Sequence, residues 1–254
     1  MRLKNKTVLV AGASSGIGRE VAMILGQRGN NVIVTARRFE LLESLSEGIK
    51  RNGGDCLPIS ADALLPSEME RVMNESVAKY GKIDAALINI GDGPSLDMSN
   101  ITSEEVMENL DINYRTFVNS LMPLIFIMKK QKFGLIAQTN SLAGFLGLPK
   151  QGPYSAAKAA CRTLMDTCRV ELKPWNIKFC TVYPGFVATE RVSDDGVPAP
   201  FEISETEAAN QIIFAMENEK SDYLFPFPLR WLIRLARVLP KTIVGKITFK
   251  MMNS

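Results

Sequence analysis

Tyr154 and Lys158 stand four residues apart in Tyr-Ser-Ala-Ala-Lys, a spacing that stacks both side chains on one face of a helix. An ammonium beside a phenol favours the phenolate, which turns an otherwise inert phenol into a proton donor and acceptor usable near neutral pH. Taken alone, the pair is as easily a surface feature, because many helices carry this spacing by chance. The chain contains no histidine. That excludes His-based nucleophilic triads and most zinc hydrolase designs, both of which need imidazole. Acid–base chemistry is left to Tyr, Lys, Asp, Glu or Cys. Cys56, Cys161, Cys168 and Cys180 show no C-x-x-C spacing and read as reduced thiols of a cytosolic protein.

Such a pair needs a scaffold to hold it. The chain has 254 residues, 46% hydrophobic and 22% charged, which fits one large α/β domain with a sizeable core. A net charge of +3 gives no case for nucleic acid. No apolar run reaches the roughly 18 residues needed to span a bilayer. Residues 1–6 lead directly into a strand pattern, and no signal peptide is expected.

Thr7–Ala11 is a short apolar run suited to a buried parallel strand. Gly12-Ala13-Ser14-Ser15-Gly16-Ile17-Gly18 follows, then an amphipathic helix to about Arg28. Strand, glycine turn and helix is the context of a dinucleotide site: glycines admit a close pyrophosphate, whose charge meets the helix N-terminus. The second strand, 32–35, ends at Ala36-Arg37-Arg38. An acidic residue there would bind a ribose 2′-hydroxyl, whereas a guanidinium suits a 2′-phosphate. The expectation is NADP(H), with Arg37 ahead of Arg38.

The third strand, 57–61, leads to Asp62 and Ala63, with Asp62 placed either to accept from an adenine amino group or to cap the next turn. The fourth, 83–89, opens into Gly91-Asp92-Gly93-Pro94. A long helix over 102–130 is expected to bend near Pro123 and carries Asn113, a polar residue in an apolar stretch. The fifth strand, 135–139, runs into Asn140-Ser141 at the carboxyl edge where open α/β sheets place their sites. The sixth, 177–182, ends in Tyr183-Pro184-Gly185-Phe186-Val187-Ala188-Thr189. This alternation predicts a single doubly wound parallel sheet with helices on both faces, over residues 1–225, with a C-terminal tail over 226–254.

Together these stations resemble the short-chain dehydrogenase/reductase family over roughly residues 5–225, which implies a Rossmann-type fold. The phosphate turn matches at Gly12, Gly16 and Gly18, the helix asparagine at Asn113, and the nicotinamide-side loop at Pro184-Gly185 with Thr189. Ser141 precedes Tyr154 by thirteen residues, the family's catalytic-serine spacing. Ile88-Asn89-Ile90-Gly91 matches the segment after the fourth strand in part. The resemblance implies that Tyr154 protonates a carbonyl oxygen, that Ser141 donates a hydrogen bond to it, and that Lys158 supports Tyr154 and holds the nicotinamide ribose. It implies a relay water positioned by Asn113, and cofactor contacts at Asn89, Val187 and Thr189. Two departures stand out. Ile88 replaces an asparagine that ties neighbouring strands, so some hydrogen bonding should be lost there. Asn140 replaces a small residue, and either lines the substrate pocket or satisfies nearby backbone.

The substrate side should lie in Glu190–Ser204, a short segment, with Phe145, Leu146, Leu148, Phe186, Val197 and Phe201 available to line a cleft. In the tail, Arg230, Arg234, Arg237 and Lys241 recur at helical spacing beside Trp231, Leu232, Leu235 and Leu239, the pattern of an interfacial helix or of one that packs on the subunit. Lys246 and Lys250 continue the charge. Similar tails occur in lipid-acting members that look like 3-ketosphinganine reductases. The favoured reading is an NADPH-dependent carbonyl reductase of a long-chain or apolar ketone, whose tail either packs on the subunit, covers the substrate cleft or joins a dimer, or makes peripheral membrane contact through 229–250. The alternatives are a 3-oxoacyl-acyl-carrier-protein reductase and a non-catalytic NADP-binding regulator. Family resemblance also implies a homodimer or homotetramer, with Ala160, Leu164, Met165 and Cys168 as packing residues.

Overall fold

The structure is a computed structural model and describes residues 1–189 and 201–252. Its strands are β1 (Thr7–Ala11), β2 (Asn31–Ala36), β3 (Asp55–Ser60), β4 (Ala85–Ile88), β5 (Gly134–Thr139), β6 (Ile177–Pro184), β7 (Val187–Ala188), β8 (Ile203–Ser204) and β9 (Asp222–Phe225). Seven of them form one sheet in the order β3-β2-β1-β4-β5-β6-β9, and every pairing is parallel. β1, β4 and β5 are buried from end to end, as strands covered on both faces must be. The order reverses between β1 and β4, which opens a crevice at the carboxyl edge where ligands of such sheets bind.

The helices are α1 (Gly16–Gln27), α2 (Phe39–Arg51), α3 (Pro66–Tyr80), α4 (Ser103–Leu110), α5 (Thr116–Gln131), α6 (Gly152–Glu171), α7 (Glu205–Glu217), α8 (Phe227–Val238) and α9 (Lys241–Met252). Two separate apolar cores follow from the two faces. One gathers Val21 and Leu25 of α1, Leu45 and Ile49 of α2, and Ile212 of α7. The other gathers Val72 of α3, Leu121 of α5 and Met165 of α6. Ile88 belongs to the second core and is 1% exposed. Burying an isoleucine contributes about 1.5–3 kcal/mol, against a net of about 0.5–1.5 kcal/mol for a hydrogen bond. The departure at Ile88 is therefore no weakness.

The structure differs from the sequence expectation in three places. β9 is a seventh strand that no apolar run announces; its first residue is exposed and only Phe225 is buried. The break in the 103–131 helix falls at Asp111–Arg115, a π turn joining α4 to α5, and not at Pro123, which α5 accommodates in its interior. A π turn inserts one extra residue and re-aims the side chains around it, and here Asn113 sits inside it with no exposure. The tail is two helices, because Leu239 and Pro240 close α8; Lys241 opens α9 instead of extending α8. β9 ends at Phe225, immediately before the tail.

Candidate active site

The turn between β1 and α1 is built for close approach. Gly12 has φ +84° and Gly16 φ +59°, a region that favours glycine. A Cβ on Gly12 would lie 3.0 Å from the Asn89 carbonyl, and one on Gly18 would strike the Gly12 carbonyl oxygen. Asn89 closes the turn from β4, its Nδ2 donating to Gly12 O at 3.4 Å. Ser15 precedes α1 without a side-chain cap, and the first turn of α1 holds no acidic residue of its own, although Glu205 of α7 brings a carboxylate oxygen to 3.6 Å from where a Gly16 Cβ would stand; a helix N-terminus of this kind suits an anion. Thr189 reaches the same turn, with Cγ2 3.7 Å from where a Gly16 Cβ would stand. These residues fit a dinucleotide's pyrophosphate.

The arginine that meets this turn is Arg38. Its guanidinium donates to Ser14 Oγ at 3.0 Å and Ser15 Oγ at 3.1 Å. Arg37, the residue placed first from the sequence, is exposed, and its carbonyl accepts from Ser60 Oγ at the end of β3 at 3.0 Å. Asp62 takes the capping alternative for one oxygen, since Oδ1 accepts from Leu64 N at 3.0 Å. Ala63 next to it is pinned by Asn119 Nδ2, which donates to Ala63 O at 2.9 Å.

The chemistry-bearing residues converge at the carboxyl ends of β4 and β5. Tyr154 and Lys158 share a face of α6, with Nζ 5.4 Å from the phenol ring centroid. Lys158 is 3% exposed, and Nζ donates to Thr139 O at 3.3 Å. A Cβ on Gly91 would lie 2.8 Å from both Lys158 Nζ and Asn113 Oδ1, so glycine is what lets the β4 loop pass between them. Gly93 packs against the Tyr154 ring. Ser141 is half-buried, and its Oγ accepts from Ala143 N at 3.1 Å.

Asn113 is tied into the chain itself: Nδ2 donates to Asp92 O at 2.6 Å and Asn109 O at 3.0 Å, and Oδ1 accepts from Asp92 N at 3.0 Å. The amide pins the Asp92 loop. Asn140 is likewise withdrawn from the substrate pocket. It is 2% exposed, donates to Lys158 O at 3.0 Å and accepts from Ser141 N at 2.8 Å. Of the expected pocket residues, Phe145 is wedged between the Arg162 guanidinium, 5.2 Å away, and the Tyr183 ring, 4.6 Å away. Leu148 and Phe186 are half-buried near the loop ends. Pro184, Gly185 and Val187 carry β6 into β7, with Gly185 N donating to Phe225 O. Val197 and residues 190–200 of the expected substrate segment lie outside the described residues.

A family model described as short chain dehydrogenase matches residues 6–196. The chain belongs to the short-chain dehydrogenase family. An uncharacterised oxidoreductase of Listeria monocytogenes is 33% identical over 192 residues, 75% of this chain and 77% of that one. A 3-oxoacyl-acyl-carrier-protein reductase of Staphylococcus epidermidis is 30% identical over 231 residues, 87% of this chain and 94% of its own. Among solved structures, a 7α-hydroxysteroid dehydrogenase complexed with NADH and 7-oxo glycochenodeoxycholic acid superposes with TM-score 0.81 over 88% of this chain and 94% of that one at 21% identity, a likeness of fold. The protein is thus a short-chain dehydrogenase/reductase oxidoreductase, of a family that binds a nicotinamide cofactor and acts on small molecules.

Two supporting residues of this dehydrogenase escaped the sequence reading. Asn109, 3% exposed, accepts from Asn113 Nδ2 at 3.3 Å and reaches toward Asp92 O. Its spacing of four before Asn113 was the available signal. Gln151 donates to Gly93 O at 3.3 Å and ties the β4 loop to the start of α6. The thiols carry no chemistry here. All four are buried. Burial pushes Cys56 up to about 11 and Cys180 up to about 12, and raises Cys161 and Cys168 as well.

Proposed function

We propose that this dehydrogenase is an NADPH-dependent carbonyl reductase whose substrate is a long-chain or otherwise apolar ketone. The observation that carries the reaction is the meeting of Tyr154, Lys158, Ser141 and the Asn113 turn at the carboxyl edge, beside a glycine turn that admits a pyrophosphate. When bound, the nicotinamide supplies the hydride. The Tyr154 hydroxyl gives its proton to the substrate oxygen, and Ser141 Oγ–H donates to the same oxygen and stabilises the charge that develops on it. Lys158, held 5.4 Å from the Tyr154 ring, is placed to hold the nicotinamide ribose beside the phenol. Arg38, already on Ser14 and Ser15, is placed to pair with a 2′-phosphate, and this supports NADPH over NADH.

The tail supports an apolar substrate and a peripheral membrane position. Residues 227–252 hold three arginines, three lysines and no acidic residue, so the net charge of +3 divides into +6 here and −3 elsewhere. Among the described residues no helix is long and apolar enough to cross a membrane. A second reading, reduction of a 3-oxoacyl thioester on acyl-carrier protein, is favoured by the Staphylococcus epidermidis relative; that acidic partner would also suit the basic tail. Assembly into a dimer or tetramer would use α6. Ala160 and Leu164 line an open hollow with Tyr114 and Thr163, whereas Met165 and Cys168 are committed to the chain's own core and are not available for packing between subunits.

The test is a series of methyl ketones and 3-oxoacyl thioesters of rising chain length, followed by NADPH absorbance. Tyr154→Phe should lower kcat by about 10²–10⁴-fold while NADPH still quenches tryptophan fluorescence. Full turnover in that variant would refute the assignment, and thioesters outpacing every ketone would favour the second reading.

A further inference from the structure

We propose that Asn140 is a positioning residue that sets the distance between Ser141 and the Tyr154–Lys158 helix face, and so enables both hydroxyls to reach one substrate oxygen. Its side chain has three bonds, and two of them end on backbone atoms of catalytic residues. Oδ1 accepts from Ser141 N at 2.8 Å, and Nδ2 donates to Lys158 O at 3.0 Å. The third bond, from Nδ2 to Gln138 Oε1 at 3.3 Å, orients the amide from within β5. Asn140's own N–H donates to Val182 O at 2.8 Å, which anchors the brace to β6.

The surroundings are shaped around this contact. A Cβ on Gly144 would lie 2.6 Å from Asn140 Oδ1 and 3.2 Å from Lys158 O, so the turn after Ser141 must pass here without a side chain. Asn140 is 2% exposed and Gln138 likewise, so no solvent can replace a lost partner. Lys158 O lies within α6 but takes an extra donor from outside its helix. One buried amide thus joins the loop that carries Ser141 to the helix that carries the proton donor. A group aimed from a loop is only as accurate as its tie to the rigid element beside it, and a misplacement of about 1 Å can cost about 10²-fold in rate. The small residue expected at this position from family resemblance could not span both backbone partners.

The inference rests on the carbonyl-reductase reading, and its test separates the two. Asn140→Ala removes both ties; Asn140→Asp keeps the acceptor for Ser141 N and loses the donor to Lys158 O. With 2-decanone and NADPH as the assay pair, both variants should lose about 10–100-fold in kcat, with KM and NADPH affinity within about threefold of the parent. Amide hydrogen exchange on the cofactor-free protein gives a readout that needs no turnover. Asn140→Ala should speed exchange in 141–145 and 154–160 together, and Asn140→Asp in 154–160 alone. If the parent reduces no ketone, the reaction assignment fails while exchange still decides the brace. If kcat stays within threefold, or if exchange rises only in 141–145, the brace is refuted; should Asn140→Ala fail to fold, Asn140→Asp carries both measurements.

Discussion

The floor of the active site and the C-terminal helices obey opposite rules. On the floor, Asn113, Asn140 and Lys158 are each at most 3% exposed, and each is bonded to backbone of another element. In α8, Phe227, Trp231, Leu235 and Val238 are each more than half exposed, at spacings that put them on one side of the helix. Arg230 lies over two of these rings, 5.0 Å from Phe227 and 5.6 Å from Trp231. A floor whose polar valences close within the chain is pre-organised for a charge that appears only during reaction. A surface that leaves aromatic and aliphatic groups outward keeps its binding energy for something outside the chain. The phosphate turn stands between the two: Arg38 is exposed yet already held by Ser14 and Ser15.

That intermediate position gives the largest expected effect. A hydrogen bond to a charged group is worth about 1.5–3 kcal/mol, so Arg38→Ala should raise the dissociation constant for NADPH about 10–100-fold and leave that for NADH nearly unchanged. Arg37→Ala should change the ratio much less. Titrations of both cofactors against the two variants decide the matter, and an equal loss in each variant would put Arg37 back beside Arg38 as a phosphate-binding residue.

The contrast also explains what could be read before the fold was known. β1, β4 and β5 are buried on both faces, so their apolar runs announced themselves, and Gly12, Gly16, Gly18, Tyr154 and Lys158 lie in contiguous motifs whose spacing is their signal. What stayed hidden depended on direction and on distant partners. Arg37 and Arg38 are adjacent in sequence, and only the bonds of Arg38 to Ser14 and Ser15 tell them apart. Asn109 and Asn140 show their work only once Asp92 and Lys158 are beside them. The helix break followed Asn113 because the π turn turns that side chain inward, a constraint that outweighs Pro123. β9 gave no signal, since Asp222 at its start is spent on Tyr183 OH, which donates to it at 2.9 Å.

The tail provides the next test. Phe227→Ser and Trp231→Ser together should abolish sedimentation with vesicles containing one-third phosphatidylserine. Turnover of a short, water-soluble ketone should remain unchanged, because neither residue belongs to the floor. Salt should weaken the parent's vesicle binding, since exposed cations are screened within about 10 Å at 0.1 M. If the double variant still sediments, or if the parent sediments equally with neutral vesicles, the outward face serves another purpose, such as packing against a second subunit.

The last test concerns the framework beneath the floor. Cys56 and Cys180 are raised to about 11 and about 12 by burial, and the Tyr183 phenol is pushed up by burial and by Asp222. In the unfolded chain these thiols and phenols ionise near about 8.5 and 10. Between those values and the folded ones, the native state holds protons that the unfolded state has lost, so stability falls as pH rises; below about pH 8 the contribution is complete. Each buried thiol should cost about 1.4 kcal/mol per pH unit beyond its unfolded value. Residues 227–252 contain no cysteine or tyrosine, so vesicle binding by the tail should persist over the range in which the sheet weakens. Urea midpoints measured from pH 7.5 to 10.5 should fall steadily above about pH 8.5, alongside sedimentation that stays constant until the protein unfolds. A flat midpoint would mean that the buried thiols and Tyr183 are not held neutral by the core, and a parallel loss of vesicle binding would mean that the tail's geometry depends on the sheet after all.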